Sequence, residues 1–367
     1  MIKFSDLQKQ YLQCKADIDE AVMKTLWNGD YILGQNVQQF ENNFADYCGT
    51  YYCVGVSSGL SALELALRAA GIGEGDEVIT VANTFIATAL AISSVGAKIV
   101  LIDCDYDTQL IDCSQIEKKI TKNTKAIIPV NLFGQMVDTE EIQSIADTYG
   151  LKVIYDCAQS HGAINHVSGC ATFGDMATFS FYPAKNLGCA GDGGAICTNN
   201  KEYYEKLMKL RNYGSTKKYY HESVGTNSRL DTIQAGILSV KLRHLDDWNR
   251  QRTWLAGRYN EALADVPQIK VAKRIDHNYH VYHLYVVRAE KRDELLTYLS
   301  NEGVQCGIHY PVPIHKQDCY LGEDFSYESF PHTEKLADEI ISLPMHPYLS
   351  LPDISFVVSK IKSFYNG

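Results

Sequence analysis

An α/β fold with a second, smaller α+β domain is what this sequence predicts. Short runs rich in Val, Ile and Leu alternate with helical stretches over the first 200 residues, the pattern of a mostly parallel sheet covered on both faces. The 367 residues are 46% hydrophobic and 21% charged, a globular balance with material for a large core. Beyond residue 245 the alternation loosens into mixed strands and helices.

The strands are expected at Tyr52–Val56, Glu77–Thr80, Ile99–Asp103, Ala126–Val130, Val153–Asp156, Thr178–Phe181 and Ala195–Thr198. Several are β-branched and bounded by glycine or polar turns. Helical stretches lie between most of them: Ser61–Ala70, Thr84–Val95, Ser114–Ile120 and Thr139–Tyr149. From Arg229 to Leu263, Ile233, Ile237, Val240, Leu242, Leu245 and Trp248 recur at helical spacing and predict one long connecting helix. The remainder predicts strands at His280–Val287 and Gln305–His309 and helices at Arg292–Glu302 and Glu334–Ile341. The division is 1–245 for the large domain with its connecting helix and 246–367 for the small C-terminal domain.

Composition removes several function classes. With 34 Lys+Arg against 44 Asp+Glu the net charge is −10, which argues against nucleic acid as the main partner. Phe85–Ile102 has nearly the length of a membrane span. Thr88, Ser93, Ser94 and Gly96 interrupt it, so it reads as a helix, a glycine turn and a strand. The N-terminal MIKFSDLQKQ has no apolar core and no cleavage site, so a cytoplasmic protein is expected. The eleven cysteines are odd in number and form no CxxC, which suits reduced, packed thiols better than a disulfide scaffold or zinc site. His277, His280 and His283 space as H-x2-H-x2-H. In the predicted strand His280 and His283 point to opposite faces, so no metal is expected.

Ligands of open α/β sheets sit at the carboxyl ends of strands. Three constellations stand there. GVSSGLSALELAL (Gly55–Leu67) runs from a strand through a Ser/Gly turn into a helix, with Ser61 and Glu64 at capping-box spacing. It is either an anion site at a helix N-terminus or an ordinary capped turn. VIYDCAQSHGA (Val153–Ala163) ends a strand on Asp156, with Gln159 and His161 following. A carboxylate there is costly unless it meets a cation, so Asp156 reads as a metal ligand, a partner for a protonated ring nitrogen or a salt-bridged structural residue, and His161 as a base or a packed or surface histidine. FSFYPAKNLGCAGDGGA (Phe179–Ala195) places Lys185 in a glycine-rich loop, and the GDGG run reads as a tight turn into the next strand. A desolvated lysine has a lowered pKa and attacks aldehydes; the alternative is a loop lysine that binds a phosphate as a point charge. An anion turn, then a strand-end aspartate, then a loop lysine about thirty residues on is what pyridoxal phosphate requires.

These residues, with GQNVQQFENNFADYCG (Gly34–Gly49), DEVITVANTFIAT, VNLFGQ, RNYG, GTNSRLDTIQA and HYPVPIH, resemble the DegT/DnrJ/EryC1/StrS sugar aminotransferases almost end to end. The resemblance implies the aspartate-aminotransferase-like fold type I, with pyridoxal 5′-phosphate as cofactor. Lys185 would attach the cofactor and then shuttle the proton. Asp156 would pair with the ring nitrogen, Gln159 would lie near the ring hydroxyl, and Phe85 would stack on the ring. Gly59, Leu60, Ser61 and Ser180 would hold the phosphate. Asn227 would reach the phosphate of the neighbouring subunit in a homodimer. Tyr182, His309 and Tyr310 would line the sugar pocket. Beside this, the basic and aromatic set around Arg211, Tyr213 and Lys217 is either the handle for the sugar's diphosphate or a solvated loop. Leu60 and Ser61 depart from the Thr or Asp common around that turn, and Cys157 stands where alanine is common.

Lys185 in place of histidine implies amino transfer rather than the dehydration some members perform. Tyr182 in FYPAKNLG stands where members aminating C-4 often carry histidine. That resembles enzymes moving an amino group from L-glutamate to C-3 of a dTDP-linked 3-keto-6-deoxyhexose, for surface polysaccharide or secondary-metabolite biosynthesis. The alternatives are a C-4 aminotransferase acting on a UDP- or dTDP-4-keto-6-deoxy sugar, and a non-catalytic regulator on the same fold. No helix-turn-helix segment accompanies the chain to support the regulator.

Overall fold

The strands of the central sheet read as apolar runs because both faces are covered. The computed structural model describes residues 1–166 and 168–366. Helices α1 (Leu7–Gln13), α2 (Lys15–Asn28) and α3 (Gln35–Cys48) come first. Then follow β1 (Tyr52–Val56), α4 (Gly59–Ala69), β2 (Glu77–Val81), α5 (Ile86–Ser94), β3 (Lys98–Ile102) and β4 (Thr124–Ile128). The large domain continues with α6 (Thr139–Tyr149), β5 (Lys152–Asp156), β6 (Met176–Ser180), β7 (Gly194–Thr198) and α7 (Lys201–Leu210). Alternate residues enter opposite cores: Ile79, Ile127, Val153 and Tyr155 meet α3 and α6, whereas Val78, Ala126, Ile128 and Ile154 meet α4, α5 and α7.

The seven strands lie in the order β1-β7-β6-β5-β4-β2-β3. Neighbours from β6 to β3 are parallel, and β7 runs antiparallel to both β6 and β1. The carboxyl ends of β1, β5 and β6 therefore share one edge, and the turns after Val56, Asp156 and Ser180 open onto it. Gly194, in the GDGG run, is the register partner of both Val56 and Ser180. A Cβ there would lie 2.3 Å from the Ser58 carbonyl oxygen, so the run also allows close approach of β7 to the turn before α4.

Helix α8 (Thr232–Leu242) and helix α9 (Leu245–Leu263) replace the single long helix expected over Arg229–Leu263. The chain breaks at Arg243 and His244, and Asp246 and Asp247 occupy the first turn of α9, where acidic groups favour a new N-terminus. The small domain has β8 (Ile269–Val271), β9 (Tyr285–Ala289), α10 (Arg292–Asn301), α11 (Pro331–Glu339), β10 (Ile340–Leu343) and α12 (Leu351–Asn366). Strand β9 pairs antiparallel with β8 and β10, and α9, α10 and α12 supply the third core. The strand expected over His280–Val287 is shorter, because Tyr282 takes a left-handed φ of 43° that no strand continues. Of Gln305–His309 only Gly307 pairs, with Ser342.

Two segments cross the 245/246 division. Ile2 exchanges backbone hydrogen bonds with Gly303 and Gln305 of the small domain at 2.8 and 3.0 Å. Ile314, Tyr320, Phe325 and Phe330 return to the core beside α4 and α5. Phe85–Ile102 folds as helix, Gly96 turn and strand, and among the described residues no helix is long and apolar enough to cross a membrane. The cysteines of the described residues are free, most of them buried.

One buried ion pair ties the first helices to the sheet. Arg211 donates from Nη1 to the carboxylate of Glu41 on α3 and, at 2.8 Å, to the carbonyl of Gly55 on β1. Gly55 N–H in turn donates to Glu41 Oε1 at 2.7 Å. Arg211→Ala strands the Glu41 charge in the interior and is expected to cost about 3–5 kcal/mol in denaturant unfolding, whereas the double replacement by methionine recovers most of that loss.

Candidate active site

At the shared edge of β1, β5 and β6 lies a cavity of about 390 Å³, within the range of small-ligand sites. Each strand contributes its following turn. After β1, Ser58 caps α4, its hydroxyl accepting from Ser61 N–H at 3.1 Å. The cap thus stands three residues before the expected Ser61, and Glu64 instead pairs with Arg68 at 2.8 Å. The first-turn residues Gly59 and Leu60 line the cavity, where a helix N-terminus attracts anions. A Cβ at Gly59 would lie 2.6 Å from the Ser180 Cβ, so only glycine lets the helix start sit against β6. Ser180 lines the same wall.

The floor is Asp156 and Lys185. Asp156 is buried, and its carboxylate accepts from Thr88 Oγ1 at 2.9 Å and from Ala158 N–H at 3.1 Å. Burial raises its pKa, opposed by those two donors and by Lys185. The same desolvation lowers Lys185 to about 8, with the Asp156 charge opposing it. Each group holds the other partly charged.

The remaining walls come from far along the chain. Gln159 accepts from Phe133 N–H at 2.6 Å and donates to the Tyr310 hydroxyl at 3.0 Å. The Phe85 and Tyr310 rings lie 5.2 Å apart. His309 is stacked on Phe4 at 5.6 Å and hydrogen-bonded through Nδ1 to Ser342 Oγ at 2.9 Å. Tyr182, half exposed, completes the rim.

The structure thus brings together Gly59, Leu60, Phe85, Asp156, Gln159, Ser180, Tyr182, Lys185, His309 and Tyr310. Other expected residues stand elsewhere. The Ser61 hydroxyl lies against those of Ser57 and Ser58 at 3.0 and 3.1 Å. Arg211 is corrected from a ligand handle to an interior residue: it is 3% exposed and committed to Glu41 and Gly55. Tyr213, also expected near the sugar, is half exposed outside the cavity lining and faces the Arg229 guanidinium at 5.5 Å. Lys217 is exposed on a short hairpin strand. Asn227 is exposed on the single chain, in a bridge with Asn212.

His161 is fully buried against Phe179 and Phe181 and lies outside the cavity lining, so it packs; burial, with the Lys185 charge, lowers its pKa to about 3. His280 accepts from Tyr282 N–H at 2.9 Å and stacks on the Tyr282 ring, while His277 stacks on His166. No metal-binding cluster occurs among the described residues. Thr88, Phe4, Asp192 and His283 also belong to the site or its support. For Thr88 the sequence held a signal, one helical turn beyond Phe85. For Phe4 it held none.

Residues 13–362 match the DegT/DnrJ/EryC1/StrS aminotransferase family. The chain is 48% identical over 364 residues to a dTDP-3-amino-3,6-dideoxy-alpha-D-galactopyranose transaminase of Aneurinibacillus thermoaerophilus, covering 99% of each. Its fold superposes on S. venezuelae DesV, solved with a ketimine intermediate, with a TM-score of 0.98 at 43% identity, covering 100% of this chain and 99% of that one. NtdA of Bacillus subtilis, solved with bound PMP, gives 0.92 at 32% identity, covering 97% and 82%. The architecture is the α/β aminotransferase fold expected from the sequence.

In the full-length protein without cofactor, an aldehyde probe is expected to modify Lys185 with a midpoint near pH 8. Asp156→Asn lowers that midpoint further, since the lost negative charge was opposing desolvation. Adduct formation against pH, trapped with borohydride, measures both; a wild-type midpoint at the ordinary 10.5 contradicts the burial argument.

Proposed function

From the premise that the chain belongs to the DegT/DnrJ/EryC1/StrS aminotransferase family, we propose that it moves an amino group from L-glutamate to C-3 of a dTDP-linked 3-keto-6-deoxyhexose, with pyridoxal 5′-phosphate as cofactor. The observation that carries the chemistry is the buried pair of Lys185 and Asp156 on one cavity floor. The choice of carbon and nucleotide rests on Tyr182 in FYPAK and on the sugar named for the Aneurinibacillus relative.

The residues fit the cofactor. A buried carboxylate whose pKa is raised even with two donors suits a protonated ring nitrogen as its further partner. Gly59, Leu60 and Ser180 would hold the phosphate at the start of α4, and Phe85 would flank the ring. When bound, the cofactor serves as an electron sink for charge at the amino-bearing carbon.

The chain supplies the rest. Lys185 Nζ would be the group that holds the cofactor and that takes and returns the proton; a pKa of about 8 leaves both of its forms populated near neutrality. Asp156 would pair with the ring nitrogen and favour its protonated form. Tyr310, fixed by Gln159, and His309 close the cavity on the small-domain side. His309 is lowered to about 4 by burial and the Lys185 charge, so it meets the sugar as a neutral hydrogen-bonding ring. In a homodimer the exposed Asn227 would reach the partner subunit's phosphate site. Free, mostly buried thiols suit a cytoplasmic enzyme, and an amino-deoxyhexose product suits lipopolysaccharide O-antigen or secondary-metabolite assembly.

Purified protein offered glutamate and a panel of dTDP- and UDP-linked 3-keto and 4-keto sugars is expected to aminate the dTDP-linked 3-keto compound fastest, read by mass spectrometry. A preference for a UDP-linked 4-keto sugar refutes both the carbon and the nucleotide. Lys185→Ala is expected to lose the borohydride-trappable adduct and at least about a hundredfold in turnover. Retention of either excludes Lys185 from its role.

A further inference from the structure

Phe4 and Ser5 line the cavity, although the segment that carries them precedes every helix and strand of the large domain. That segment is tied down along its length. Ile2 N–H donates to the Gly303 carbonyl at 2.8 Å, and the Ile2 carbonyl accepts from Gln305 N–H at 3.0 Å. Phe4 N–H donates to Gln305 Oε1 at 3.2 Å, and the Phe4 carbonyl accepts from Met345 N–H at 3.4 Å. Asp6 then caps α1 by accepting from Lys9 N–H at 3.2 Å. Phe4 therefore sits between anchored neighbours, and its ring is presented from a fixed backbone.

That ring lies on the imidazole of His309, which lines the same cavity. The two centroids are 5.6 Å apart and the planes are inclined by 15°, a stacked pair. Three other groups meet the imidazole. Its Nδ1 is hydrogen-bonded to Ser342 Oγ at 2.9 Å, and the Tyr310 ring stands nearly perpendicular to it, at 5.6 Å and 76°. Gly307 passes so close that a Cβ there would lie 3.0 Å from His309 Cε1. Ser342 is in turn fully buried and exchanges both backbone hydrogen bonds with Gly307, at 2.8 and 3.1 Å. The χ2 torsion of histidine has no sharp preference of its own, so a hydrogen bond at Nδ1 pins one corner of the ring and leaves its plane free to tilt. A parallel ring removes that freedom. Of the two aromatic neighbours among the described residues, only Phe4 lies parallel to the imidazole.

We propose that Phe4 is a positioning residue for the sugar: stacked on His309, it holds that imidazole in the cavity wall in the orientation that hydrogen-bonds the sugar. The proposal rests on the reading above that His309 meets the sugar. It assigns to the segment before α1 a part in substrate binding, although none of the chemistry at Lys185 and Asp156 depends on it.

Two measurements test it. The first is steady-state kinetics with glutamate and the dTDP-linked 3-keto sugar. Phe4→Ala is expected to raise KM for the sugar about threefold to tenfold, the measure of one aromatic pair, with kcat changed less than about twofold, as for a loss of uniform binding. Phe4→Tyr keeps a ring to stack and is expected to stay near the wild-type KM. Phe4→Leu fills the space without stacking and is expected to resemble Phe4→Ala, which it replaces should that variant not fold. An unchanged KM in a folded Phe4→Ala protein, or a Phe4→Leu protein equal to Phe4→Tyr, overturns the proposal. The second measurement needs no sugar. In full-length protein labelled with 15N-histidine, the His309 signal is assigned by its loss in His309→Gln. Burial and the Lys185 charge hold this group at about 4 in the wild type. Removing the covering ring admits water, which favours the charged form, so Phe4→Ala is expected to move the midpoint up toward 6.5. A midpoint that stays in place overturns the proposal. Should no sugar of the panel be aminated by wild-type protein, the functional reading fails, and the titration alone decides whether Phe4 holds His309.

Discussion

A carboxylate and an amine cannot be withdrawn from water separately without each being driven to its neutral form. At the floor of this cavity Asp156 is pushed up and Lys185 down by the same desolvation, and each is the charge that limits the shift of the other. The fold's task is to hold them there. The register between β5 and β6 sets the end of one strand, with Asp156, beside the end of the other. The turn Tyr182–Lys185, closed by a backbone bond of 2.9 Å, brings the lysine back over it.

The supports of that pair are themselves polar and buried, and so they must be satisfied. Thr88 reaches Asp156 from α5. Asn186, next to the lysine, is tied to α9 through Asn249 and to the small domain through His283. The two domains therefore meet through a hydrogen-bonded network as well as through apolar contact. The N-terminal segment adds to it: Phe4 stacks on His309 while Ile2 pairs beside Val304.

Much of this was readable from local pattern. Seven β-rich runs became the seven strands, because strands buried on both faces must be almost wholly apolar. The strand-end aspartate and the loop lysine stood out because such residue types are expensive at such positions. Elements at the domain junction were less readable. The helix break at Arg243 has a local sign in Asp246 and Asp247, which the apolar spacing overrode, whereas the left-handed Tyr282 lies between Val281 and Leu284, whose amides bond the carbonyls of Gly134 and Phe133, and periodicity does not register that.

The sequence by itself determined the α/β class, the family and the cavity residues on the turns after β1, β5 and β6, since each lies in a short motif whose chemistry is local. Tertiary structure alone decided what the long-range polar groups do. Arg211 looked like an anion handle and is an interior brace on Glu41; Thr88 orients Asp156; Asn186 is hydrogen-bonded to His283. These partners are 170, 68 and 97 positions apart. Such side chains take their roles from whichever acceptor or donor the completed fold places within about 3 Å, and spacing along the chain carries no record of that.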